Sequence, residues 1–340
     1  MRLFKSIYSP LSLGEGSGVR LLFACLLFAS CSQESIIPST DAEEIRLSGG
    51  INGLSASAVT RGAIDKDYSQ NLSIRFARVD QGEDGSWPAY TTVATPLEAT
   101  RAGGAGQTNI GFTKPQYYLT RQDNNNTKLL GWYPASTYKQ SDATVTFDIS
   151  GGTTDVMVTG EVIGNKVDKF GDSERTFTFS HLLTRVSVRA FGDASAKDNW
   201  GVIKSVKVKA QPTSCILKLA DLTATWSGSS DLALKNSTND AAMGDVSLDG
   251  KTTTANTASC GYALFKPTAT ASLTLVVETS QGGSRDVTVT LPAGATPQYF
   301  AAGTGYTVTL EFKSITIVPT AAITAWKTDS STIGGVFPYN

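Results

Sequence analysis

Tyr306-Thr307-Val308-Thr309-Leu310-Glu311-Phe312 alternates bulky and polar side chains without a break. Successive side chains of an extended chain point to opposite faces, so this pattern predicts a strand with one buried and one wetted face. The same period recurs in Leu72-Ser73-Ile74-Arg75-Phe76-Ala77-Arg78-Val79 and Thr144-Val145-Thr146-Phe147-Asp148-Ile149. It returns in Arg185-Val186-Ser187-Val188-Arg189-Ala190, Val202-Ile203-Lys204-Ser205-Val206-Lys207-Val208-Lys209, Leu273-Thr274-Leu275-Val276-Val277 and Val287-Thr288-Val289-Thr290-Leu291. Clusters of Gly, Asn and Asp separate these runs, as at Asp80 to Gly85, Gly103 to Gly106 and Asp123 to Asn126, and read as turns. No stretch carries a long apolar face at helical spacing. The chain is therefore expected to be all-β, its one-sided strands buried in β-sandwiches.

Composition agrees. Of 340 residues 40% are hydrophobic, enough to fill cores, while only 17% are charged, and Thr, Ser, Gly and Asn take their place. With 29 basic and 30 acidic residues the formal net charge is -1, and the Lys and Arg residues are scattered. That distribution gives no nucleic-acid footprint and no polybasic membrane patch. The length suits about two domains. A break is expected at the polar stretch Asn165 to Arg175, giving an N-terminal sandwich over 62–175 and a C-terminal one over 176–340.

The N-terminus reads as an export signal covering 1–30. Arg2, Lys5 and Arg20 precede the apolar run Leu21 to Phe28, and Ala29-Ser30-Cys31 supplies small residues before a cut. The run is too short for a permanent transmembrane helix. Ala29-Ser30-Cys31 resembles a lipobox, which makes Cys31 the expected lipidation site and the new N-terminus; Cys25 is an alternative that would cut the apolar core short. The long polar lead before Arg20 is consistent with a start codon downstream of Met1. Residues 31–61 then read as a propeptide or linker with one strand-like piece, Glu44 to Ser48. Of the four cysteines, Cys215 and Cys260 remain in the mature body. In an oxidising compartment they either pair as a disulfide or stay as buried thiols.

Catalytic chemistry finds little support. The single histidine, His181, lies between apolar residues with no Gly-x-Ser-x-Gly elbow, and reads as a packed, hydrogen-bonded residue at a strand boundary. The Cys and His inventory is too small and scattered for zinc. Asp123 and the asparagines after it lack the calcium-loop pattern, and Gly103 to Gly106 lacks the Lys-Ser/Thr of a phosphate loop. Trp87, Trp132, Tyr133 and Trp326 would suit a carbohydrate platform but read first as packing residues. No cofactor, metal or enzymatic activity is expected.

Several pieces together resemble the fimbrillin family, the lipoprotein precursors of type V pili. They are Cys31, Thr60-Arg61-Gly62, Leu130-Gly131-Trp132-Tyr133-Pro134, Phe147-Asp148-Ile149 leading to Thr154-Asp155-Val156-Met157-Val158, and Phe177-x-Phe179-x-His181-Leu182-Leu183-x-Arg185-Val186. Tyr306 to Leu310 and Ile323-Thr324-Ala325-Trp326 complete the set. The resemblance implies two transthyretin-like β-sandwich domains in tandem and an outer-membrane or cell-surface location. It also implies an Arg-specific protease that removes a first strand, after which a donor strand from the next subunit fills the groove by β-strand addition. On this sequence the implied cut falls after Arg61, before Gly62, with Arg46 second. Glu44 to Leu47 is the implied removable strand. Ile315, Ile317, Ile323 and Trp326 mark the implied donor segment over 315–326, unless that segment completes the chain's own sheet. Expected partners are other pilus subunits, the protease, the membrane through the lipid, and a host or bacterial surface ligand. The alternative is a monomeric outer-membrane adhesin that keeps its lipid and binds glycan or host protein.

Overall fold

The computed structural model describes residues 42–52, 64–193 and 195–324. These fold almost entirely into strands. In the first half they are β1 (Leu47–Ile51), β2 (Leu72–Asp80), β3 (Leu97–Arg101), β4 (Thr108–Phe112), β5 (Thr127–Tyr133), β6 (Thr137–Lys139), β7 (Thr144–Asp148), β8 (Met157–Val158), β9 (Val162–Gly164) and β10 (Phe177–His181). The second half continues with β11 (Thr184–Gly192), a short helix α1 (Ala196–Trp200), β12 (Ile203–Gln211), β13 (Ser214–Lys218), β14 (Ala224–Ser227) and β15 (Ser230–Ala233). It ends with β16 (Ala258–Phe265), β17 (Ser272–Thr279), β18 (Gly283–Thr290), β19 (Gly305–Phe312) and β20 (Ile317–Thr324).

The first sheet has the order β2-β3-β4-β1-β10-β8-β5-β9, and β5 also pairs with β2. The ladder therefore closes on itself through β2, β3, β4, β1, β10, β8 and β5, which leaves none of these strands with a bare edge. Its interior is a core of Leu47, Ile51, Leu72, Ile74, Phe76, Ile110, Leu129, Phe177, Phe179 and their neighbours. Phe76 sits centrally, edge-on to Phe177 with ring centroids 5.0 Å apart and to Phe112 at 5.8 Å.

Strands β2 and β5 bury both faces, and the alternation of the sequence shows how. Leu72, Ile74 and Phe76 of β2 enter the ring, while Ala77 and Val79, on the opposite face, enter a second core with Leu130 and Trp132 of β5. That second core is covered by a four-stranded sheet, β14-β13-β7-β6, through Val145, Phe147, Cys215 and Leu217. Burial on two faces explains why Leu129-Leu130-Gly131-Trp132 lacks alternation. Gly131 is required there, because a Cβ on it would lie 2.6 Å from the Phe76 ring.

A third core lies between the sheets β16-β11-β19-β20 and β15-β12-β17-β18 and holds Val186, Val206, Leu275, Val308 and Phe312. The expected divide at 175/176 does not coincide with a change of sheet. β10 (Phe177–His181) joins the first sheet beside β1 and β8, and the hairpin β13–β14 pairs with β7 in register Cys215↔Phe147. His181 ends β10 before a turn at Leu182 and Leu183, and β11 starts the next sheet. Replacing Phe76 by Ala is expected to destabilise the fold by about 3–5 kcal/mol, the cost of a large core cavity. Urea unfolding measures this, and a loss below about 1 kcal/mol would show that the ring interior is not a packed core.

Candidate functional site: an inserted first strand and an edge-forming last strand

Strand β1 is short, yet it lies between two partners. It runs antiparallel to β4 with Leu47↔Ile110 and Gly49↔Thr108, and parallel to β10 with Gly49↔Phe177 and Ile51↔Phe179. The pairing continues before it, where Ile45 N–H donates to Gln116 O at 2.7 Å and Tyr118 N–H to Glu43 O at 3.0 Å. After it, Asn52 N–H donates to Phe179 O at 2.8 Å. Ile45, Leu47 and Ile51 are buried in the ring core. The sequence reading put the removable strand at Glu44 to Leu47. The strand itself spans Leu47–Ile51, because the two glycines that weaken its propensity are what allow it to fit.

Gly49 faces the core side of β1. A Cβ there would lie 2.5 Å from Ile110 Cδ1 and 3.2 Å from the Phe177 carbonyl oxygen. Gly50 faces outward, where a Cβ would meet only the exposed Gln107 side chain at 3.1 Å and the Gly106 carbonyl at 3.4 Å. Beside this narrow point lies Arg101, the last residue of β3, fully buried. Its Nε–H donates to Gly49 O at 3.0 Å. Its other guanidinium groups donate to the carbonyls of Ala102, Gly104 and Gly106 at 2.9–3.1 Å. Burial lowers the pKa of Arg101 from its usual value. The Gly103 to Gly106 segment, expected only to turn the chain, folds its carbonyls around this cation. Nothing in the sequence reading pointed to Arg101; an arginine ending an alternating strand resembles any exposed one.

Arg46 is exposed, its side chain 85% accessible, and immediately precedes β1. A cut after Arg46 would leave Leu47–Ile51 in the sheet. Cys31, Arg61, Gly62 and Trp326 lie outside the described residues.

The segment expected to donate a strand forms β20, antiparallel to β19 over eight positions from Gly305↔Thr324 to Phe312↔Ile317. It is an edge strand of the chain's own sheet. Ile317 and Ala321 rest on the third core, and Val318 and Ile323 are both 37% accessible. Pro319, which cannot donate to a ladder, fits only such an edge. Ile315 belongs to the turn before β20 and is 85% accessible.

His181 is buried with Asp155, its Nδ1 3.0 Å from Asp155 Oδ1. Nearby, the Arg185 guanidinium lies over the Tyr262 ring at 5.1 Å, and Tyr262 O–H donates to Asp240 at 2.6 Å. These groups tie β10, β11 and β16 together. Trp132 is fully buried, so it is a core residue and not part of a sugar platform; burial also raises the Tyr133 hydroxyl to about 12. Among the described residues no cluster of His, Cys, Asp and Glu is placed to hold a metal, and no helix is long and apolar enough to cross a membrane.

Cys215 and Cys260 are free thiols, and the disulfide weighed from sequence is not formed. They occupy different cores, Cys215 under β7 and Cys260 in the third.

Fold and site together define an all-β structural protein with a strand inserted near its N-terminus. The chain belongs to the fimbrillin-like family, whose model matches residues 79–326. That family is one of fimbrial structural and adhesion proteins rather than enzymes. No curated protein matches the sequence. Among solved structures, a candidate cell adhesion protein from Bacteroides uniformis superposes with TM-score 0.56 at 16% identity, covering 85% of this chain and all of that one. A second, from Bacteroides ovatus, gives TM-score 0.51 at 15% identity over 85% of this chain and 99% of that one. At these identities the likeness is one of fold.

Two measurements check this description. Gly49→Ala is expected to destabilise by about 1–3 kcal/mol through overpacking, while Gly50→Ala stays within about 1 kcal/mol; equal urea midpoints would contradict the narrow point. The thiols are held up by burial, each from 9.0 to about 12. Between those values the unfolded chain ionises them and the folded chain does not, so stability falls as pH rises from about 9 toward 12. A Cys215→Ala, Cys260→Ala double variant should lose part of that decline, and both native thiols should resist a maleimide at pH 8 until denaturant is added.

Proposed function

We propose that the chain is the precursor of a fimbrial subunit that matures by losing β1 and assembles by accepting a strand from a second copy. The observation that carries this reading is the place of β1 within the first sheet. It is hydrogen-bonded to β4 on one side and to β10 on the other, and its departure converts a closed ring into a groove with two bare edges. Such a groove offers main-chain groups to an incoming strand and a core-facing pocket for alternate side chains. An unfilled groove is costly, because buried donors and acceptors lose their partners.

A cut after Arg61 releases the whole of β1, and a cut after Arg46 does not. This geometry favours Arg61 as the processing site for an Arg-specific protease. In this reading Cys31 carries lipid that holds the precursor at the outer membrane, and the cut frees the subunit from its anchor. The incoming strand comes from the C-terminal region of a neighbouring subunit. Donating Ile317–Thr324 itself would strip the outer strand from β19 and bare part of the third core, so the sequence beyond Thr324 is the alternative source. The uncut precursor has its ring closed by its own strand and is fit to remain a lipid-anchored monomer, which is where an adhesive role without polymerisation would lie.

Intact mass of material sheared from the surface tests the reading. Chains starting at Gly62 without lipid are expected in polymers, and Arg61→Ala should abolish them while Arg46→Ala leaves them in place. Polymers composed of acylated chains starting at Cys31 would overturn it.

A further inference from the structure

The slot that β1 fills has a shape that few strands can match, and this narrows what replaces it. Leu47 and Ile51 fill pockets two residues to either side of Gly49. At Gly49 itself there is no room for a side chain between Ile110 and the Phe177 backbone. The slot therefore selects the pattern apolar-x-Gly-x-apolar. It also presents the buried Arg101 Nε–H, which now donates to the carbonyl of the residue at the narrow point. A replacement strand has to bring a backbone acceptor there or leave a buried cation short of a partner.

Beyond Thr324 the sequence contains two glycines. Gly334 is flanked two residues away by Thr332 and Val336; Gly335 is flanked by Ile333 and Phe337. Only Gly335 satisfies the slot. The pattern Ile333-x-Gly335-x-Phe337 keeps its match to Leu47-x-Gly49-x-Ile51 when read in either direction, so it fits a strand entering parallel or antiparallel to β1. With Gly335 at the narrow point, Gly334 and Val336 occupy the two outward positions next to it. At the Gly50 position the nearest neighbours are the mobile end of Gln107 and the Gly106 carbonyl, and no core side chain stands in the way.

We infer that the vacated β1 slot is filled by Ile333–Phe337 of a second copy of this chain, with Gly335 at the position of Gly49. The inference rests on the strand-exchange reading above and goes beyond it by naming segment and register. It moves the donor away from Ile315, Ile317 and Ile323, which leaves β20 in place on β19.

The test uses the full-length chain as wild type, Gly334→Val and Gly335→Val, each treated with an arginine-specific protease and run unboiled on a denaturing gel. Wild type and Gly334→Val are expected to give polymer ladders. Gly335→Val should give less by about tenfold or more, the effect of losing one central, fully packed position. If Gly335→Val also lowers the thermal midpoint before cleavage, a synthetic peptide of residues 328–340 is added to cleaved wild-type chain instead. The wild-type peptide should then suppress the ladder and its Gly335→Val form should not. Equal ladders from all three chains, or an equal loss in both variants, would overturn the register while leaving strand exchange standing. Absence of a ladder from cleaved wild type would overturn both.

Discussion

A β-ring cannot tolerate a gap. Every strand in the closed ladder of the first sheet has both edges occupied, and that condition is met at one place by five residues near the N-terminus. The backbone groups of β4 and β10 that face β1 would otherwise be buried without partners or opened to water, and each such group is costly to leave unmet. Arg101 adds a charged donor to the same account. A buried guanidinium is stable only when its N–H groups are matched, and one of its acceptors belongs to the strand it lies beside. The first body is thus closed by a strand that the chain can in principle exchange, and the charged group next to it favours occupancy of the slot over vacancy.

The remaining layers make this closure local. The second core is held by β7 and β13 against the outer face of β2 and β5, and the third core lies between two sheets that include neither β1 nor its neighbours. Apolar burial in those two cores does not depend on the ring being complete. The hairpin β13–β14, although late in sequence, is paired to β7. It carries stability from the second half of the chain to the sheet that covers the first. A subunit built this way can lose or exchange one strand while most of its hydrophobic surface stays covered.

Much of this was legible in the sequence. Strands such as β2, β11, β12 and β19 alternate because each has a buried face, and the periodicity located them closely. The boundaries failed where both faces are buried or where contacts are distant. Leu129-Leu130-Gly131-Trp132 shows no alternation because Leu129 enters the ring and Leu130 the neighbouring core. The assignment of β10 to the first sheet, and of β13 to the sheet of β7, depends on pairings between residues far apart in sequence, which local patterns do not encode. β1 was displaced by several residues because Gly49 and Gly50 read as a turn signal. Their role as an opening for Ile110 and Phe177 is a tertiary fact. Arg101 was invisible for a similar reason: its acceptors are carbonyls, which every sequence has.

The account makes β1 the element that closes the first sheet, so its release should be felt at β4 and β10 and hardly at all in the third core. Amide hydrogen exchange of the full-length chain before and after arginine-specific cleavage measures this directly. The predicted result is a large loss of protection across Thr108–Phe112 and Phe177–His181, with Thr184–Gly192 and Gly305–Phe312 unchanged. Unaltered protection at β4 and β10 after β1 has been released would contradict the account.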